Sequence, residues 1–96
     1  MYYILDKDKK PFQTTLDQVV INMDRMKNIQ VDELNDGTAI STTFLFYSSH
    51  KHEGKPLLFN TKVINKSGVD YSELYKTYDE AISGHNRVLE MYKQNN

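Results

Sequence analysis

Two runs, Thr38–Tyr47 and Pro56–Ile64, constrain this chain most. Both are rich in β-branched and aromatic residues, and the first carries no charge. Between them lies Ser48–Lys55, a polar stretch that ends in Gly54 and Lys55 before Pro56. Two apolar runs around a cluster of breakers predict a long β-hairpin, with a connection longer than the usual two to five residues. An extended loop between strands more often carries binding than mere connection. The remaining residues read as cover for this ribbon.

In chain order, Tyr2–Leu5 predicts a short strand, Asp6–Lys10 a solvated turn, and Pro11–Gln13 a returning edge strand that tolerates its proline. Thr15 as N-cap with Gln18 three residues later predicts a helix start, with Asp17 at the positive end of the dipole. Leu16, Val19, Val20, Met23 and Met26 fall at helical spacing and are expected to fill core, with Arg25 solvated. Ile29–Leu34 alternates as a strand, and Asn35-Asp36-Gly37 is a tight turn into the ribbon. Asn65–Gly68 is another turn, and Tyr71–Lys76 a last strand. Thr77 and Glu80 make a second capping box, opening a helix whose stripe is Tyr78, Ala81, Ile82, His85, Val88, Leu89 and Tyr92. Gly84 inside that stripe predicts close approach of another backbone. Gln94, Asn95 and Asn96 are expected to fray. The expected fold is therefore one α+β domain over residues 1–96, an antiparallel sheet of four to five strands with two helices packed on one face.

Ninety-six residues with 39% hydrophobic content make one modest core, which self-association would supplement. The absence of cysteine removes disulfides, thiol catalysis and cysteine zinc sites. No segment reads as a signal peptide or a membrane span, so a soluble intracellular protein is expected. The net charge of −1 is unevenly spread. From Gly37 to Val69, Lys51, Lys55, Lys62 and Lys66 stand against Glu53, four minus one, or +3; the remainder holds eight cations against twelve acids, or −4. A basic ribbon on an acidic protein favours anions, although lysines also protect exposed strands from edge pairing.

Enzyme motifs are missing. Ser48, Ser49 and His50 have no nucleophile elbow around them, the acids cluster in turns and helix starts, and the four isolated glycines form no phosphate-binding loop. His50 and His52 would share a strand face but want further ligands, so no metal is expected. His85 on an apolar stripe reads as a satisfied core histidine. A small anionic ligand asks for less: hydroxyl and amide donors, a cation, and an aromatic face. Ser41, Thr42, Thr43, Asn60 and Thr61 supply donors, Lys51 and Lys62 charge, and Phe46, Tyr47, Tyr75 or Tyr78 a ring. Alternate strand residues must face the core, so about half of these are packing.

Ser41-Thr42-Thr43-Phe44-Leu45, Pro56-Leu57-Leu58-Phe59-Asn60-Thr61 and Tyr75-x-Thr77-Tyr78-Asp79-Glu80-Ala81-x-x-Gly84-His85 resemble a widespread family of small bacteriophage proteins. Its pattern is S-T-x-F-L-G, a loop with an aspartate and a histidine, P-L-L-F-E-T, and Y-x-T-x-E-E-A-x-x-G-H. The likeness spans roughly residues 38–85. Phe46 stands in place of the glycine, Ser48-Ser49-His50 in place of the Asp-His loop, and Asn60 in place of the glutamate. The resemblance implies a cytoplasmic protein of the infected host that counters nucleotide-signalled immunity (CBASS) by sequestering a cyclic dinucleotide, such as 3′3′-cGAMP, without cleaving it. Thr42, Thr43, His50, Lys51, Asn60, Lys62, Tyr75 and Tyr78 are then the expected nucleotide-binding residues. No cofactor, DNA, RNA or membrane partner is expected, and a homo-oligomer is. The alternative is a module that inhibits a host protein through a free sheet face or edge.

Overall fold

The computed structural model describes residues 1–48 and 50–94; Ser49 of the expected loop and the fraying expected at Asn95 and Asn96 lie outside them. Eight strands and two helices follow in the order β1 (Tyr2–Leu5), β2 (Pro11–Thr14), α1 (Leu16–Met26), β3 (Asn28–Glu33), β4 (Ala39–Phe44), β5 (Lys51–His52), β6 (Lys55–Pro56), β7 (Phe59–Asn65), β8 (Gly68–Tyr75) and α2 (Tyr78–Lys93). The fold is α+β. A four-stranded antiparallel sheet of order β3-β4-β7-β8 is its centre, and β1-β2 and β5-β6 form two small separate hairpins. The expected connection Ser48–Lys55 thus holds a hairpin of its own. It turns at Glu53 and Gly54, whose φ values of 54° and 78° are the successive left-handed residues of a tight two-residue turn.

Register decides which ribbon residues are packing. Ile40, Thr42 and Phe44 oppose Val63, Thr61 and Phe59, and all six are buried. On the other side Ala39, Ser41 and Thr43 oppose Ile64, Lys62 and Asn60. Both helices bury residues against the first side: Val19 of α1 and Ala81 of α2 join Phe44, Phe59, Leu58 and Tyr75 in one cluster. A smaller cluster of Ile40, Val63 and Val88 completes the core.

Both helix starts form as the sequence predicts. The Thr15 hydroxyl accepts from the Gln18 amide, and the Thr77 hydroxyl accepts from the Glu80 amide while donating to the Glu80 carboxylate. The face of α1 does not. Leu16, Val20 and Met23 are exposed, as is Ile21 at 73%, whereas Val19 and Asn22 are the buried pair. Asn22 tolerates burial because its amide donates to the Gln18 carbonyl and its oxygen accepts from Arg25. Gly84 also differs from expectation. Its close neighbour is a side chain, the Tyr75 ring, rather than a backbone.

β4 ends at Phe44, two residues before a left-handed Phe46 with φ 58°. Phe46 is nevertheless buried, edge-on to Phe44 with ring centroids 4.7 Å apart, and its carbonyl accepts from the Tyr3 amide at 2.7 Å. The kink therefore joins the ribbon to β1.

Candidate functional site

The open side of the sheet carries the candidate site. Ser41, Thr43 and Lys62 point there from β4 and β7, and the C-terminal end of α1 brings Met23 and Lys27 beside them. Together with Phe46 and Ile64 they line a groove of about 500 Å³. Lys27 reaches this place because it caps α1 and immediately starts the ladder. Its amide donates to the Met23 carbonyl, and its own carbonyl accepts from the Phe44 amide at 2.9 Å. Neither Lys27 nor Lys62 has a carboxylate partner among the described residues. Two unpaired ammonium groups, two hydroxyls and an apolar floor can hold an anion that carries flat or apolar parts.

Of the expected binding residues, the groove unites Thr43 and Lys62. The others go elsewhere. Thr42 is wholly buried under α2, on the opposite side of the sheet from Thr43, because successive strand residues alternate. Asn60 shares the open side by register, yet it is only 4% exposed. Its amide is taken by the Ser72 hydroxyl and the Glu73 carbonyl, both at 3.0 Å. Tyr75 is buried beneath Gly84. His50 and Lys51 are exposed at and beside the small hairpin, outside the lining of the groove. Tyr78, half-buried as the first residue of α2, stands edge-on to Phe59. Lys27 was the residue missed. A lysine in the last turn of a helix reads as solvated unless the helix is known to end against the sheet.

The buried side holds an unbroken polar chain instead. The half-exposed Asp32 accepts from His85 Nε2 at 2.7 Å, since an ionised carboxylate can only accept. Nδ1, on the other side of the ring, faces the Thr42 hydroxyl. The two are hydrogen-bonded at 2.7 Å, and the Thr42 hydroxyl is hydrogen-bonded in turn to that of Thr61. His85, Thr42 and Thr61 are all at 0% exposure. The order carboxylate, imidazole, hydroxyl is that of a nucleophilic triad, but no surface path reaches the Thr42 hydroxyl, so the chain serves to satisfy buried groups. The hydrogen bond from His85 holds the Asp32 carboxyl below its usual range, with Gln30 adding to it.

No protein-family description, curated protein or solved structure matches this chain.

A second charged cluster lies where β8 meets α2. Arg87 and Tyr71 both donate to the Glu73 carboxylate. Burial pushes the Glu73 carboxyl up, and these donors more than offset it, leaving it below its usual value. The Tyr75 hydroxyl makes no hydrogen bond of ordinary geometry, and burial raises it to about 12, with the nearby Glu73 carboxylate adding to the shift. Every charge in this cluster is paired, so it offers less to an anion than the groove does. Among the described residues, no three histidine or carboxylate side chains are grouped to hold a metal ion, and no helix is long and apolar enough to cross a membrane.

Proposed function

We propose that this protein is a phage-type immune-evasion protein that binds and sequesters a cyclic dinucleotide signal, such as 3′3′-cGAMP, in the cytoplasm of an infected bacterium without cleaving it. The observation that carries the reading is the convergence of Lys27, Lys62, Ser41 and Thr43 on one open groove. The two phosphates of the ligand meet the two lysines and the hydroxyls, and its purines lie along Phe46, Ile64 and Met23. The resemblance of residues 38–85 to small phage proteins supports the same reading. Two or more copies assemble in this proposal, through the exposed apolar side chains of α1.

The test is thermal melting against a panel of cyclic and linear dinucleotides. A ligand at a hundredfold excess over Kd adds about 2.7 kcal/mol of stability. The wild type gains a higher midpoint with a cyclic dinucleotide, the Lys27→Glu/Lys62→Glu variant does not, and chromatography returns the ligand intact. An equal gain in the variant refutes this placement, and a cleaved ligand refutes sequestration.

A second reading rests on a different observation. Val31, Ile64 and Val69 are exposed, at 57%, 40% and 59%, along the same uncovered side. A host protein could cover them. Stoichiometric capture of one host protein, with no nucleotide response in melting, favours this second reading over the first.

A further inference from the structure

A second cavity lies between the β1–β2 hairpin, α1 and the start of α2, with a volume of about 550 Å³. We infer that it is a second binding site, for a nucleoside monophosphate or a closely similar ligand with one phosphate group and one planar ring.

Its cations come from two places far apart in sequence. Lys7 and Lys9 sit on the hairpin turn, and Arg25 on the last turn of α1. None of the three has a carboxylate partner among the described residues. Asp6 is the one carboxylate that lines the cavity, so the balance there is three minus one, or +2. That carboxylate is already engaged: its Oδ1 accepts the amides of Asp8 and Lys10 at 2.8 and 2.9 Å. These two bonds, with the Asp6 amide on the Lys10 carbonyl and the Lys9 amide on the Asp6 carbonyl, tie the turn into one shape. Lys9 takes a left-handed φ of 65° within it. The turn therefore presents its lysines from a fixed frame.

Arg25 is likewise held in advance. Its guanidinium donates to the oxygen of Asn22, a side chain only 8% exposed whose amide is anchored on the Gln18 carbonyl. A pre-positioned guanidinium loses little freedom when it binds a phosphate, and its remaining N–H groups match the oxygens of that group. The rest of the wall suits a ring. Phe12 is 45% exposed, and Tyr78 lines the cavity while packing edge-on to Phe59. The volume falls in the range of small-ligand sites. Charge, donors and two aromatic side chains thus meet in one cavity. The sequence conceals this, because Lys7 and Lys9 read as a turn and Arg25 as a solvated helix residue.

The experiment is amide NMR titration of the whole chain with AMP, adenosine and inorganic phosphate as probes. AMP shifts the amides of residues 6–9 and 22–25, and adenosine and phosphate each bind at least about tenfold more weakly. Arg25→Gln and, separately, Lys9→Gln weaken AMP by about tenfold while keeping the wild-type melting midpoint. Lys27→Glu/Lys62→Glu leaves AMP binding unchanged, so this site stands or falls apart from the sheet groove. Absence of AMP binding at millimolar concentration overturns the inference. So does adenosine or phosphate binding as tightly as AMP, or a set of shifts confined to the sheet groove.

Discussion

Gly84 lies directly against the ring of Tyr75: a β-carbon on Gly84 would fall inside contact distance of the hydroxyl, Cε1 and Cζ. The replacement Gly84→Ala usually helps a helix by up to about 1 kcal/mol. Here overpacking of about 1–3 kcal/mol opposes it. The expected result is a lower melting midpoint. Tyr75→Phe does not relieve it, since two of the three close atoms remain, whereas Tyr75→Leu in the Gly84→Ala background recovers part of the loss. A Gly84→Ala protein that melts above wild type refutes the contact.

Phe46 offers an inverted ranking. Truncating a buried phenylalanine costs about 3–5 kcal/mol. In ordinary backbone, glycine would cost more than alanine. At φ 58° an L-residue bears roughly 1–2 kcal/mol of strain that glycine escapes. Phe46→Gly is therefore expected to be less destabilised than Phe46→Ala in denaturant melts. The reverse order would show that the kink is not retained.

Acid should reach the fold through Asp32. Its folded carboxyl titrates below its ordinary value of 3.8, chiefly through the bond from His85. A depressed carboxyl gives stability that is complete well above 3.8 and fades as pH falls through the folded value. Wild-type melting midpoints are expected to drop more steeply below about pH 4 than those of Asp32→Asn. Parallel curves would mean the pairing contributes nothing.

The outward side of α1 gives a test of assembly. Ile21 and Val20, at 73% and 66% exposed, touch little within one chain. Val20→Lys/Ile21→Glu is expected to change the stability of the isolated chain by under about 0.5 kcal/mol per site. In sedimentation the same variant should run as a monomer where wild type runs as an assembly. Identical sedimentation of the two proteins would remove α1 as the interface.

What the sequence reveals divides by range. Thr15 with Gln18, and Thr77 with Glu80, form their caps within four residues, and both can be read directly. The ribbon's alternation is also legible, but its parity is not. Thr42 faces inward because it meets His85, 43 residues away, and nothing local marks it from Thr43. The stripe on α1 misleads for a similar reason. Leu16, Val20 and Met23 make a good apolar face, yet the neighbours of this helix lie over Val19, Asn22 and Met26, where Met26 sulfur receives the Leu5 amide. An asparagine whose polar atoms are satisfied by its own helix leaves no trace in a hydrophobic pattern. The sheet groove escaped notice because Lys27 belongs by sequence to the helix and by position to the sheet.

That double membership leaves no slack between helix and strand. Met26 closes α1, Asn28 opens β3, and the single residue between them is hydrogen-bonded back to Met23 of α1 and across to Phe44 of β4. The end of the helix and the start of the sheet ladder therefore share one residue, with no loop between them. The wall that Lys27 gives the groove is thus placed by the helix and the sheet together.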